Sequence, residues 1–557
     1  MAMITGGEIL VRTLVKTGLK NVFAIHGAHI ETIFQSCLDH GITLVDTRHE
    51  VAAGHAAEGY ARSSRGLGVA LVTAGPGFTN VVTSIANAYL DRTPVLYITG
   101  SAALTEAETN TLQAGIDQVA IATPITKWAH RINVASQLPR LVAEAVRIAT
   151  SAPTGPVLLD VPMDVLTTML DEELIAIPDN ILLDAPAAPP ARITTRVLET
   201  LASAKRPVLM IGKGVWHSDA GEELKQFVEA TGIPVFSDFD GHGVLPSNHP
   251  LYGGTFHKMA DLSEPGNRPD VVFMLGVRTG LFTLGSTDIL IPADASIIHA
   301  DTDAKEIGRL RNAQVPLVAD SKEVLAALNA GVGSHSWPDL QGWQDTINEA
   351  RTRRRQRFTE ILEQTEPPIH PYQAVNAIVD NIDEDTVIIG DGAESYHWLN
   401  EVIRQNHGGG YLTHSYLGAV GFGYGLAIGA KSANRNKPVL CMVGDGGAGF
   451  TIAEFDTMVR NDLPIVVVVM NNSSWGASQH FQEIVSGPER VTGTRLGNAK
   501  YHEVAAGFGC FSRYVTRIDE LGPALREAFA SGKPACINIA IDFKPIPPEV
   551  ELLMGPH

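Results

Sequence analysis

Cysteine is scarce. The 557 residues hold four, Cys37, Cys441, Cys510 and Cys536, and no two form a CxxC pair. That excludes a disulfide framework and a thiolate zinc site, and it fits a reducing compartment. Positive charge is also in deficit. Lys and Arg number 42 against 61 Asp and Glu, a net charge of −19. A chain this acidic does not bind nucleic acid or anionic membrane through its bulk charge. No apolar run approaches the ~20 residues that span a bilayer. The longest compact one, residues 464–470, has strand length. The N-terminal segment MAMITGGEILVRTLVKTGLKNVF carries acid and base within its apolar pattern and lacks the uninterrupted apolar core of an export signal. Together these absences predict a cytoplasmic protein with neither nucleic acid nor membrane as partner.

What is present is ample core. Hydrophobic residues make up 45% and charged residues 18%, a composition that builds several globular domains. Three blocks emerge. Residues 1–175 alternate amphipathic helices with short β-rich runs such as 68–73 and 94–99. A Pro- and Ala-rich stretch near 176–193 reads as a linker. Residues 190–330 alternate again (RPVLMIG, IPVFSD, DVVFMLG, SIIHADTD), and residues 366–557 do so a third time (TVIIGDG, PVLCMVGDG, PIVVVVMNN, ACINIAI). Continuous β-branched strands alternating with helices predict α/β domains with parallel sheets covered on both faces. Between the second and third blocks, the charged stretch 341–366, containing RTRRRQR, reads as a solvated connecting helix.

A weak internal repeat links the first and third blocks. ALVTAGPGFTNVVTSIANAYLDRTPVLYITG and LCMVGDGGAGFTIAEFDTMVRNDLPIVVVVMNN each read as strand, Gly-rich turn, helix and Pro-initiated strand. Two copies of one unit could pair around a ligand.

The strongest chemical signal lies in the third block. Gly444-Asp445-Gly446 follows the strand VLCMV, and Asn471-Asn472 ends the next strand. A Gly-rich turn at a strand's carboxyl end lets backbone N–H groups approach phosphate. Asp445 and Asn472 offer hard oxygen ligands, which with a backbone carbonyl and phosphate oxygens suit Mg²⁺. Either motif alone is an ordinary turn; the spacing makes the pair a metal–diphosphate candidate. Gly212-Lys213-Gly214 is a partial GxGxxG without its third glycine, and reads as a packing turn rather than a dinucleotide site.

These motifs resemble those of the thiamin diphosphate (ThDP) enzymes. The resemblance implies three doubly wound parallel-sheet domains: pyrimidine-binding, middle and diphosphate-binding. It implies ThDP and Mg²⁺ as cofactors and an active site shared between subunits, in a dimer at minimum and a homotetramer by family habit. It assigns the metal to Asp445, Asn472 and Ser474. It assigns the cofactor to Gly444, Gly446 and Gly447, to Gly392, Ala393, Gly418 and Val420, and to Ser474, Trp475, Gly476 and Ala477. From the first block it adds Thr73 and Glu50, which sits in RHEVAAGHAAEGYAR. In the family the matching glutamate contacts N1′ of the aminopyrimidine.

Within that family the chain is similar to the benzaldehyde lyases, through HGAHIETIFQSCLDH, ETNTLQAGIDQVA, DGAESYHWLNEV and NNSSWGASQHFQ. The implied catalytic residues are Glu50, His29 and Gln113. The implied substrate pocket is Ala28, His29, Gln113, Met163, Tyr396, Ala477 and His480. The implied reaction is cleavage of acyloins such as (R)-benzoin to two aldehydes, and the reverse ligation, with 2-hydroxyacyl-CoA cleavage or 2-ketoacid decarboxylation as alternatives. Acetohydroxyacid synthases are set apart because they bind FAD and carry a polar Trp-containing motif where this chain has WGASQHFQE; no FAD is expected. Met163, Val420 and Gly447 depart from the lyase pattern, where Trp, Met and Ser are expected.

Overall fold

The computed structural model describes residues 2–554 apart from residues 107, 108, 184, 265, 286 and 415. Its frame is three six-stranded parallel sheets. In the first, the strands lie in the order Thr43–Asp46, Asn21–Ala24, Gly68–Val72, Val95–Ser101, Val157–Pro162, Trp128–Arg131. In the third the order is Tyr411–Thr413, Val387–Asp391, Val439–Gly444, Ile465–Asn471, Ala535–Ala540, Phe511–Val515. Numbered within each domain, both read 2-1-3-4-6-5, and the two halves of the sequence repeat occupy positions 3 and 4 in each. The middle sheet instead reads 3-2-1-4-5-6, from Tyr252–Thr255 at one edge to Val315–Val318 at the other. No helix among the described residues is long and apolar enough to cross a membrane. All four cysteines are free and buried.

The first and third domains meet through a helix pair made of small residues, Glu50–Ser64 and Gly423–Ala433. A Cβ on Gly59 would stand 2.3 Å from the Leu426 carbonyl oxygen, and one on Gly429 would stand 2.0 Å from that of Ala56. Backbones this close admit no larger side chain, so one apolar core runs continuously from the first sheet to the third.

A buried charge network joins all three domains. Arg62, 2% exposed, faces Glu58 and Asp91 of the first domain at 3.3 Å each and Asp240 of the middle domain at 2.6 Å; it also donates to the Thr413 carbonyl of the third domain at 2.9 Å. Lys213 crosses from the middle domain to donate to the Asp91 carbonyl at 2.5 Å and the Thr93 hydroxyl at 2.9 Å. The Gly212-Lys213-Gly214 turn is a packing turn: a Cβ at 212 would stand 2.2 Å from the Gly276 oxygen. Near the C-terminus, Glu549 is 1% exposed between His257 of the middle domain (2.6 Å) and His397 of the third (2.9 Å), and it accepts from Asn400.

The connecting helix departs from the expectation of a solvated rod. Gln341–Gln356 buries Trp343, Ile347, Ala350 and Arg354, a stripe at helical spacing. Arg354 pairs with both oxygens of Glu401 at 2.6 and 2.7 Å and with Asp261 at 2.8 Å. Charged composition concealed the stripe because one member of it is itself an arginine.

Replacing Arg62 by Ala leaves buried carboxylates without their cation and should lower stability by about 3–5 kcal/mol. A fall in the urea midpoint checks this; an unchanged midpoint would mean the network is not structural.

Candidate functional site

Parallel α/β sheets bind ligands outside the carboxyl ends of their strands. In the third domain, a cavity of about 290 Å³ lies there. Strand Val387–Asp391 ends at Gly392-Ala393, strand Val439–Gly444 ends at Asp445-Gly446-Gly447, and strand Ile465–Asn471 ends at Asn472. These residues line the cavity with Val420, Ser474, Trp475, Gly476 and Ala477.

The glycines shape the floor. A Cβ on Gly446 would stand 2.5 Å from the Trp475 ring, and one on Gly476 would stand 2.5 Å from the Glu394 carboxylate. Asp445 is 2% exposed, and its Oδ2 has no hydrogen-bond partner among the described residues. Burial pushes its carboxyl up to about 7, against the opposing backbone N–H groups nearby. An orphaned, buried oxygen beside a glycine turn is the donor a divalent cation requires. The Asn472 amide oxygen accepts from the Ser474 N–H at 3.1 Å and keeps a lone pair. The Ser474 hydroxyl lies 2.7 Å from Gln479 Oε1 and 3.0 Å from the Thr494 carbonyl, which leaves its own backbone carbonyl as the ligand it could offer. Asn471 is structural; it donates to Ala499 and Asn538 and accepts from Ser473.

Asp391 is a functional residue that motif reading missed. Fully buried, it accepts the N–H of Gly421 at 3.1 Å and of Gly423 at 2.7 Å, and so clamps the loop that presents Val420. Burial raises its carboxyl to about 6 despite these donors. The signal was in the sequence: Gly390-Asp391-Gly392 is a second Gly-Asp-Gly at a strand end.

The first-domain residues form a separate group, none of which lines this cavity. His29 lies on a short 3-10 turn with Nδ1 3.1 Å from the Thr73 hydroxyl, and burial lowers its pKa. Gln113 has a left-handed backbone (φ 60°) and sits against Gly75, where a Cβ would stand 3.0 Å from its own. Glu50 opens its helix and accepts from the Asn80 amide at 2.9 Å. The preceding residues are tied to the third domain, where Glu454 accepts the N–H of Arg48 and His49 at 3.1 Å.

The remaining expected residues scatter. Ala28, Met163 and Gly418 are exposed, and Gly418 stands outside the cavity with φ 66°. Tyr396 is 2% exposed and packs edge-on to Phe239 in the core, so it does not line the cavity. His480 is buried against Glu394, at 2.6 Å; it buttresses that wall from behind.

Comparison with known proteins follows the same division. The N-terminal, central and C-terminal domain models of the thiamine pyrophosphate enzymes match residues 4–121, 194–328 and 391–539. These domains bring thiamine diphosphate and a divalent metal, usually Mg²⁺. Acetolactate synthase large subunit IlvG of Mycobacterium tuberculosis is 33% identical over 96% of this chain and 95% of its own length. The probable acetolactate synthase large subunit of Methanocaldococcus jannaschii is 31% identical over 96% and 92%, and isozyme 2 of Escherichia coli is 29% identical over 96% and 95%. These relatives overturn the expectation of an aldehyde lyase acting on benzoin, and with it the hydroxyacyl-CoA and simple decarboxylase alternatives. The lyase reading rested on segments spread along the whole chain, and its ligation half stands: the relatives point to a ThDP-dependent carboligase rather than to a benzoin lyase.

Ionised Asp445 is disfavoured until a cation arrives, so Mg²⁺ must compete with a proton. In the cofactor-free protein, the Asp445 contribution to stability is full below the unfolded-state value and is lost as pH rises through about 7. The rise in Tm on adding Mg²⁺ with ThDP should therefore be larger at pH 8 than at pH 6, and abolished in Asp445→Asn. Gly446→Ala should weaken ThDP binding at least tenfold by displacing Trp475, as calorimetry would show.

Proposed function

Since the chain belongs to the thiamine pyrophosphate enzymes, we propose that it is a carboligase of the acetolactate synthase type. It transfers an acyl unit from a small 2-oxo acid to an acceptor carbonyl and releases CO₂. With pyruvate as both donor and acceptor, two pyruvates and one proton give acetolactate and CO₂. The observation that carries this reading is full-length similarity to acetolactate synthase large subunits.

Thiamine diphosphate, when bound, supplies a nucleophilic carbon for addition to a carbonyl. The protein's part is geometry and proton placement. Asp445, Asn472 and the Ser474 carbonyl would hold the metal, and the glycine turn at Gly444–Gly446 would offer backbone N–H groups to the diphosphate. Val420 and Trp475 wall the cavity, and the small Ala477 leaves space for an acceptor. Among the described residues the cavity is lined by the third domain alone, and the first-domain group of Glu50, His29, Thr73 and Gln113 does not line it. That division supports a homodimer in which each cavity is completed by the first domain of the partner subunit. There Glu50 would serve as proton partner to the cofactor ring. The Thr73 hydroxyl occupies one ring nitrogen of His29 and leaves the other to exchange a proton with a substrate oxygen.

One observation favours a second choice of acceptor. No Lys or Arg among the described residues lines the third-domain half of the cavity, so that half offers no cation to a second carboxylate and accepts an uncharged aldehyde. Incubation with pyruvate, ThDP and Mg²⁺, with and without acetaldehyde, separates the two. Acetolactate and CO₂ from pyruvate alone support the leading reading; acetoin formed only when acetaldehyde is added supports the second. Neither product, with ThDP bound by calorimetry, overturns carboligation from pyruvate. Glu50→Gln should lower turnover at least a hundredfold with an unchanged Tm.

A further inference from the structure

A cavity of about 1150 Å³ stands apart from the cofactor cavity and shares no lining residue with it. It lies where the middle domain, the connecting helix Gln341–Gln356 and the third domain meet. Its floor is formed by the Tyr252–Thr255 edge strand and the turn Phe256–Leu262.

One corner is cationic. Lys258, Arg351, Arg354 and Arg355 converge there. Only Arg354 is neutralised locally: it takes Glu401 in a two-point pair and Asp261 besides, and Arg357 shares Asp261 at 3.1 Å. Arg404 is paired with Asp380 at 2.7 Å. The wall's other carboxylates, Asp383 and Glu384, belong to the turn before strand Val387–Asp391, where they accept from the Asp385 N–H and the Asn406 amide. Lys258, Arg351 and Arg355 have no carboxylate within ion-pair distance among the described residues. Arg351 reaches only the Asn348 amide oxygen at 3.2 Å, and Lys258 only the Glu401 backbone carbonyl at 3.4 Å.

The lysine is built in. Its stem lies across Gly254, which has φ 120° and where a Cβ would stand 2.6 Å from Lys258 Cδ. Its ammonium is held against its preference: burial lowers its pKa to about 8, and the charges of Arg354, Arg351 and Arg355 press the same way against Glu401. Burial also lowers the pKa of Arg351, with Arg355 adding to the shift. Lys258 and Arg351 are half-buried and Arg355 is exposed; surplus cations crowded in this way repel one another unless an anion compensates them. Two guanidinium forks beside an ammonium match the tetrahedral, multiply charged oxygens of phosphate better than a single planar carboxylate. The volume and the rings of Tyr252, Phe358 and Tyr372 in the wall leave room for an organic body of nucleotide size.

We propose that this interdomain cavity is a binding site for a phosphate-bearing anion of nucleotide size, with Lys258, Arg351 and Arg355 holding the phosphate. Occupancy would couple the middle domain to the connecting helix, because Lys258 lies on one side of that seam and Arg351 and Arg355 on the other.

The test is calorimetric titration of the ThDP–Mg²⁺-saturated enzyme with AMP, with citrate as the carboxylate arm. The expected result is one AMP per chain, with affinity falling at least tenfold in Lys258→Gln, in Arg351→Gln and in the exposed variant Arg355→Gln, and falling with added salt. Without AMP, Lys258→Gln should leave Tm unchanged or raised, whereas a lysine retained for structure would lower it. Three results would overturn the assignment: no AMP binding, citrate binding in preference to AMP, or AMP binding indifferent to all three substitutions.

Discussion

The guanidinium of Arg62 is the point on which the three domains converge. A buried arginine cannot shed its proton, so its environment must supply negative charge and carbonyl oxygens. Here that environment is drawn from every domain: Glu58 and Asp91 beside it, Asp240 from the middle domain, and the Thr413 carbonyl from the third. Thr413 ends the edge strand of the third sheet, and Asp240 lies just past a strand end of the middle sheet. The network therefore fixes the sheets relative to one another through their functional edges. The small-residue helix pair beside it supplies the apolar counterpart. It permits a close approach where no side chain intrudes, and the charge network fixes the register of that approach.

The shared strand order of the first and third sheets gives the internal repeat a physical meaning. Two like units present like strand ends, one bearing the carboxylate Glu50 and the other the orphaned carboxylate Asp445. Under the proposed reading, duplication would account for a divided site: among the described residues, the two halves do not line one cavity. The apolar seam joins the domains of one chain while leaving the carboxyl edges of the strands free to face another.

Much of this was legible in the sequence because strand-end motifs are local. Gly444-Asp445-Gly446 and Asn472 need only a strand–helix–strand context to be placed, and they line one cavity. Val420 and Ala477 join them. What was not legible depends on distant partners. Tyr396 sits in a motif yet faces the core, because Phe239 of another domain covers it. His480 is turned to Glu394, a pairing across 86 residues. Asp391 carried a visible signal but its role, clamping Gly421 and Gly423, appears only when the loop is folded over it. The basic run 351–357 looked uniformly solvated because helical spacing, not composition, selects Arg354 for burial. Substrate class was the least legible of all, since branches of one family share the cofactor motifs and the resemblance read from the segments of this chain points to a different branch from the relatives.

The Glu549 bracket bears on how the protein can be handled. Its carboxylate lies between His257 and His397, and Asn400 donates to it. A residue late in the chain thus serves as the bolt between the middle and third domains. Shortening the chain ahead of it would strip two buried imidazoles and an amide of their common acceptor and open the seam that also bounds the large cationic cavity. A proteolytic nick before Glu549 would therefore act on interdomain cohesion, and it would be felt far from where it falls.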